Sequence, residues 1–436
     1  MPRYSQRFTP LLWFILALCA FELFVRLPYL VWLADNSYVS YKIRFHYFAS
    51  FSPSDVIRDG VFIVLMTAAV ALIAHSLAQH RPIPRIRRMR LIGMGWQFYA
   101  AAAATCFATV AGIYLLGPSE IAQNISAKRD LDEIEASVLL YLLLKIALFS
   151  HVIATLAYMA YLGSGRKAYL ILTGFFALLT MAVSIIFSQR ALLFALGFEI
   201  VYVTYLYRGL NIRKLVAYAL PFALVLVGIG AVRALGTGQA SLGDAVLLGI
   251  DKVMSSRYFL NIAKIGTIYE WQRIVGEIDF LALNFFVEPF APKETVYFKD
   301  VGRIVGAEVF GTASSGVTLG LISEFVLSFG AAIASLFIFA TFFVMFTTEK
   351  LMLKAARPSM VAFFALTKVP ILLNTSLGSF IYQTALETFM LLLIIPGLAF
   401  AALRPASRGS RRVTRKVAPA PRSPSANGRR PVSLRS

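Results

Sequence analysis

The sequence predicts an all-α polytopic membrane protein with about ten transmembrane helices, and three observations carry that prediction. Hydrophobic residues make up 58% of the 436-residue chain and charged residues only 15%, with a mean hydropathy of +0.72. A soluble domain cannot bury that much apolar surface. The apolar residues gather into runs of about 20, the length that spans a bilayer core as a helix. Basic residues, finally, are divided very unequally between alternate loops, which is how topology is recorded in a membrane sequence.

The runs are Leu11 to Trp32, Gly60 to Leu77, Leu91 to Leu116, Ala136 to Leu162, Ala168 to Phe187, Ala191 to Tyr207, Leu215 to Leu235, Gly316 to Phe346, Met360 to Leu373 and Ser376 to Leu403. The first has a basic start but continues through Glu22, Arg26 and Pro28 with no small-residue cleavage site. It is therefore expected to be a retained helix and not a signal peptide. The eighth is long enough to tilt strongly or to begin as an outer-surface helix, and the ninth, short and containing Lys368 and Pro370, is compatible with a re-entrant segment. No internal repeat is evident, which counts against an inverted-repeat transporter.

Charge orients the runs. One set of loops holds 25 Lys and Arg against a single acid, Glu349, while the other holds 13 against 17 acids; the runs themselves hold four of each. Cytoplasmic loops retain Lys and Arg, so both termini are expected to be cytoplasmic. The net charge of +20 then reads as a topology signal that can also touch anionic lipid heads, and no nucleic-acid partner is expected. Cys19 and Cys106 both lie inside apolar runs, which leaves neither a disulfide framework nor a CxxC metal site.

Three regions follow: a transmembrane domain over residues 1–403, an outer loop over residues 236–312 inserted within it, and a tail over residues 404–436. The tail is rich in Arg, Pro and Ser and is expected to be disordered. The outer loop is far longer than a connection requires. Within it Leu247, Ile250, Met254, Tyr258, Ile265 and Ile268 recur at helical spacing, so Ala245 to Trp271 is expected to form an amphipathic helix lying on the membrane or packed over the bundle. Arg257, Asn261 and Lys264 share another stripe of that helix. Phe280 to Phe290 carries Pro289, followed by Pro292, and should dip toward the membrane and turn back.

Charges inside a bilayer are costly and usually face the bundle interior. Eight occur here: Glu22, Arg26, Lys145, Glu199, Arg233, Glu324, Lys368 and Glu387. Glu22 and Arg26 are spaced i, i+4 and predict a self-paired clamp. Lys145 and Glu199 sit at similar depths and predict a pair across the bundle, as do Lys368 and Glu387. His151 reads as a satisfied core histidine, with a proton relay as the alternative.

Arg190 follows Ser188-Gln189 in the tight turn between the fifth and sixth runs, and Arg233 ends the seventh run just before the large loop. With Arg257 and Lys293 they can form an outward-facing cationic site suited to a diphosphate. Guanidinium groups bind phosphate oxygens bidentately, and a fixed cluster stabilises charge growing on a leaving group. The plain alternative is snorkelling to lipid phosphates. Glu324, about 8 residues or roughly 12 Å below the start of the eighth run, can serve as a base or pair with an arginine. The acidic run Asp130 to Glu135 just precedes the fourth run, where acids complement a helix N-terminus. No phosphate-binding glycine loop, HExxH or Gly-x-Ser-x-Gly is present, so nucleotide hydrolysis, zinc proteolysis and hydrolase chemistry have no support. No metal and no cofactor is expected.

Five elements follow one another between Met181 and Phe346: the Ser188-Gln189-Arg190 turn, Arg233 at a helix end, Arg257 early in the large loop, Pro289-Phe-Ala-Pro292-Lys293, and Gly320-Leu-Ile-Ser-Glu324-Phe-Val-Leu-Ser-Phe-Gly330. In that order they resemble the bacterial Wzy-type oligosaccharide repeat-unit (O-antigen) polymerases. Where the family often has Pro-Arg ahead of its Pro-Lys, this chain has Glu288-Pro289, and residues before 181 match only in hydropathy. The resemblance implies a GT-C-like bundle in the bacterial inner membrane with one large periplasmic loop. It implies a metal-independent glycosyltransferase that moves a growing glycan from one polyprenyl diphosphate carrier to another lipid-linked repeat unit, in O-antigen or exopolysaccharide synthesis. Arg190, Arg233 and Glu324 would then be catalytic, and Arg257, Lys264 and Lys293 would bind substrate. The implied partners are polyprenyl diphosphate-linked oligosaccharides and membrane lipids, and a chain-length regulator is compatible with them. Two other readings stay open. O-antigen ligases characteristically carry a histidine in the large loop, and residues 236–312 contain none. A flippase or transporter of lipid-linked oligosaccharide would use Lys145, Glu199 and Glu387.

Overall fold

The structure, a computed structural model, describes residues 9–35, 52–78, 91–127, 138–186, 190–208, 242–254, 321–355, 357–368, 397–400 and 403–405, with residues 224, 227, 228 and 231. These residues are almost entirely helical. Six helices among them are long and apolar enough to cross a membrane: α1 (Pro10–Asp35), α2 (Pro53–Ala78), the Trp96–Ala122 portion of α3 (Trp96–Ala127), α4 (Val138–Ser164), α5 (Lys167–Ile186) and the Phe329–Ala355 portion of α8 (Leu321–Ala355). Each presents large apolar side chains outward, Phe62, Phe107, Leu139, Ile171, Leu178 and Val344 among them, as lipid-facing helices do. The predicted seventh and tenth runs lie largely outside the described residues. The chain divides into a unit from Met1 to Pro405 and a second from Ala406 to Ser436, the latter outside the described residues.

α6 (Arg190–Arg208) carries Arg190, Glu199 and Arg208 within 19 residues and sits among other helices, packing on α4, α5 and α1 and on the turn Phe364–Lys368. A helix surrounded by protein can hold Glu199 where one facing lipid could not. The remaining elements are short: α7 (Leu242–Met254), α9 (Pro358–Phe363), β1 (Leu91–Met94) and β2 (Leu403–Pro405).

One end of the bundle is built by polar contacts between helix ends. Thr9 caps α1, its hydroxyl oxygen accepting from the Leu12 amide at 3.3 Å, and Pro10 opens the first turn, where a missing N–H costs nothing. The Leu11 amide, another donor without a helical partner, reaches Glu349 Oε1 on α8 at 3.0 Å. Tyr202 of α6 donates to the same oxygen at 3.0 Å. Thr9 N–H donates to His75 Nε2 on α2 at 3.3 Å, and Lys350 Nζ donates to the Ala78 carbonyl that ends α2 at 2.6 Å. Arg208 lies over the Tyr161 ring at this end, and Tyr169 bonds the Met94 amide. Every segment gathered here flanks one of the basic loops.

The structure corrects the expected start of the third run at this same end. Leu91 to Met94, expected to begin the third helix, form β1, which pairs antiparallel with β2. Gly93 and Gly95 disfavour helix, and backbone pairing with Leu403–Pro405 satisfies the strand, so the helix waits until Trp96. Arg404 lies in β2 opposite Gly93.

The other end contains broken helices. α3 breaks at Gly117 (φ 76°, ψ 158°) and α8 at Gly330 (φ 69°, ψ 163°), left-handed conformations that favour glycine. After the break at Gly330 the piece Leu321–Phe329 turns back on the span: the Phe325 and Phe337 rings are 5.7 Å apart, where twelve residues of straight helix would separate them by about 18 Å. The eighth run thus begins with a separate helical piece, and Glu324 precedes the span Phe329–Ala355 instead of lying 8 residues inside it.

Glu349→Ala leaves a buried amide and a buried hydroxyl without their acceptor and should lower stability by about 3 kcal/mol, read as thermal unfolding in detergent. Glu349→Gln retains the Oε1 acceptor and should lose less than half of that.

Candidate functional site

α7 supplies the described part of the large loop. It begins at Leu242, with Asp244 in its first turn where an acid complements the helix N-terminus, and its described residues end at Met254. Of the two arrangements open to an amphipathic helix here, it takes the packed one. Tyr29, about 28 Å of helix along α1 from Pro10, donates to Asp251 Oδ1 at 3.2 Å, and Ala245 is fully buried. Gly249 lies so close to the seventh run that a Cβ there would come within 2.5 Å of the Val227 carbonyl oxygen. α7 is therefore seated against the bundle at the end opposite Glu349.

α6 and the spanning part of α8 both run from that opposite end to the Glu349 end, since Arg208 and Lys350 are placed at the latter. Arg190 opens α6 and Glu324 lies in the piece preceding the α8 break, so the backbones of both belong to the same end as α7. Their side chains lie outside the described residues, as do Arg233, Arg257, Lys264, Lys293, Lys128, Arg129 and the acidic run Asp130 to Glu135. Among the described residues no group of three or more His, Cys, Asp and Glu side chains gathers to hold a metal ion.

The polar groups buried within the bundle are resolved more fully. Glu22 and Arg26 form the expected clamp, Arg26 Nη1 to Glu22 Oε1 at 2.6 Å with both side chains fully buried. The pair occupies a π-helical turn, Glu22–Arg26, that its i, i+4 spacing alone did not reveal. The expected partner of Glu199 is corrected: Thr155 Oγ1 donates to Glu199 Oε2 at 2.6 Å and His151 Nε2 lies 3.8 Å from Oε1, while Lys145 lies over the Tyr141 ring at 5.1 Å. Glu199 sits opposite residues 151–155, one to three turns along α4 from Lys145. Counting depth along straight helices missed this because α4 tightens into a turn at Leu148–Phe149, between Val138–Ala147 and Ser150–Ser164. The Lys368 and Glu387 side chains lie outside the described residues.

Several residues that tie the bundle together or seat α7 on it had not been assigned those contacts from the sequence. Glu349 had a visible signal, being the only acid among the basic loops. Tyr29, Asp251 and Gly249 had none, because a hydroxyl, a loop acid and a glycine gain meaning only when α7 meets α1 and the seventh run.

These observations define the class: a polytopic helical membrane protein with ionisable groups buried in its interior and a loop helix seated on one end. Comparison with known proteins adds no relative, since no family model, no curated protein and no solved structure matches the chain.

Gly249→Ala forces α7 away from the Val227 carbonyl and should raise hydrogen exchange across residues 242–254 by roughly tenfold, the equivalent of overpacking by about 1–2 kcal/mol. Gly174→Ala, where a Cβ meets nothing within 4 Å, should leave that exchange unchanged.

Proposed function

We propose that this protein polymerises lipid-linked oligosaccharide repeat units at the periplasmic face of a bacterial inner membrane. The observation that carries the reading is the ordered series Arg190, Arg233, Arg257, Lys293 and Glu324, all assigned by the charge pattern to the side opposite the basic loops. The ends of α6 and α8 that bear Arg190 and Glu324, and the seat of α7, are consistent with one working end. On this reading the chain has about ten spans in a GT-C-like arrangement, residues 236–312 are the periplasmic loop, and both termini are cytoplasmic.

The chemistry follows from the substrate. The acceptor sugar hydroxyl attacks the donor's anomeric carbon, the bond from that carbon to the diphosphate breaks, and the carrier diphosphate leaves with the electron pair. Glu324 takes the hydroxyl proton. Arg190 and Arg233, with Arg257, Lys264 and Lys293, hold the donor and acceptor diphosphates, and fixed cations aimed at a leaving group are worth about 10²–10³ in rate each. No nucleotide or metal is needed, because the activated bond is already present in the donor. A lipid carrier that stays in the bilayer explains why a sugar-transferring enzyme is built as a bundle.

The test is an in vitro reaction of the purified chain with a polyprenyl diphosphate-linked oligosaccharide, without metal or nucleotide, resolved on a gel. A ladder of lipid-linked repeats is the expected result. Transfer to a lipid A core instead identifies a ligase, and movement of unextended substrate across a vesicle bilayer identifies a flippase. In the same assay Arg233→Ala should reduce laddering at least about 100-fold, while Arg357→Ala, an exposed residue near the basic end, should leave it intact. Normal chain lengths from a folded Arg233→Ala protein would remove Arg233 from the mechanism.

A further inference from the structure

The turn at Leu148–Phe149 changes the hydrogen bonding of α4 where the helix is deep in the bundle. Val152 N–H, the helical partner of the Leu148 carbonyl, bonds instead to the Phe149 carbonyl at 3.0 Å. A carbonyl left in this way must find another donor, because no water is at hand in the membrane interior. His151 supplies it, with Nδ1 2.7 Å from the Leu148 oxygen. A carbonyl can only accept, so Nδ1 carries a hydrogen, and the backbone thereby sets the tautomer: the nitrogen whose protonation is free to vary is Nε2.

Nε2 points at α6. Glu199 Oε1 lies 3.8 Å from it, Glu199 is fully buried, and the His151 side chain is only 16% exposed. The other carboxylate oxygen is taken by Thr155, which donates from Oγ1 at 2.6 Å. Oε1 has no hydrogen-bond partner among the described residues. Two acceptors thus face each other in a low-dielectric interior with no donor between them, an arrangement that burial penalises until a hydrogen is placed there.

We propose that His151, Glu199 and Thr155 form a site that binds one proton between His151 Nε2 and Glu199 Oε1 and ties the packing of α4 on α6 to its occupancy. With the proton bound, Nε2 and Oε1 close by about 1 Å into a hydrogen bond, and the carboxyl is satisfied on both oxygens. When the proton leaves, Oε1 and the Nε2 lone pair repel, and relief requires the helices to part or water to enter. The proposal stands apart from the glycan reading, since it uses none of the residues assigned to that chemistry.

Several other ionisable groups on the packed elements are engaged elsewhere, while the buried Tyr207 hydroxyl on α6 has no hydrogen-bond partner among the described residues. Glu22 and Arg26 on α1 are paired with each other, and Lys145 lies over Tyr141. On α6 itself Tyr202 is bonded to Glu349 and Arg208 lies over Tyr161. On α5 Tyr169 is bonded to the Met94 amide beside Lys167, near the basic end. On α3 Tyr99 is within 3.4 Å of Tyr169, and Cys106 and Tyr114 are the nearest other titratable groups along that helix. Lys368 ends the turn packed on α6, and its side chain, like that of Arg190, lies outside the described residues. Because all of these remain in place when Glu199 or Thr155 is changed, the variants isolate the site.

The chain has four histidines, so ¹⁵N-histidine spectra of the full-length protein in lipid nanodiscs are tractable, with His151→Gln assigning the signal. In the wild type His151 should show hydrogen on Nδ1 throughout, with one pH-dependent step at Nε2. Glu199→Gln should move that step by more than about one pH unit. Thr155→Val, which deletes only the hydroxyl on Oε2, should move it too, and serves if the Glu199 variant does not fold. A neutral His151 with its hydrogen on Nε2 overturns the proposal without any variant, and so does a step that neither substitution moves.

Discussion

The Glu349 carboxylate accepts from the Leu11 amide and from the Tyr202 hydroxyl, each at 3.0 Å, and three helices meet on that one oxygen. α1 contributes an amide that its own helix cannot satisfy, α6 a phenol, and α8 the acid itself. In water such a contact would contribute modestly. Inside an apolar bundle each of these groups lacks a solvent alternative, so the node fixes which helix ends lie side by side. The adjoining bond from Lys350 to the Ala78 carbonyl brings in α2 by the same logic, with a cation at a helix C-terminus. The short ladder between Leu91–Met94 and Leu403–Pro405 closes the same end with backbone bonds.

With one end held in this way, the irregular features collect elsewhere. The glycine breaks at residues 117 and 330 occur away from the Glu349 node, and the piece bearing Glu324 turns back there on three phenylalanine rings. The Tyr29–Asp251 hydrogen bond and the close approach of Gly249 to the Val227 carbonyl, too near for any side chain but hydrogen, help seat α7 at that end. The bundle thus has one end tied by polar contacts and one end of broken helices. Midway between them, His151 and Glu199 form a polar contact that neither end requires for its assembly.

Much of the fold was legible because the bilayer imposes a fixed length on apolar runs and a bias on loop charge. Six of the predicted runs reappear as helices long enough to span: the first, fourth and fifth keep their expected ends within a few residues, α2 starts earlier at Pro53, the spanning part of α3 is shifted to Trp96–Ala122 and that of α8 to Phe329–Ala355. The Glu22–Arg26 pair was legible because both residues sit on one helix, where spacing is geometry. Lys145 and Glu199 show the opposite case: a pair across two helices depends on tilt and on a tightened turn, and neither is written in a spacing. The strand at Leu91–Met94 was hidden for a similar reason, since its partner lies more than three hundred residues away. The six proposed site residues were legible only as an order along the chain: three of them fall in the large loop, and loops carry no periodic pattern that fixes their path.

The central claim is that the basic loops and the chemistry occupy opposite faces of the membrane. It is tested most directly by single-cysteine labelling with a membrane-impermeant thiol reagent, after Cys19 and Cys106 are replaced. A cysteine at Ser241, just ahead of α7, should react in intact spheroplasts, and one at Ser410, in the basic tail, should react only after lysis. Labelling of Ser410→Cys from outside, or of both positions from the same face, would contradict the account.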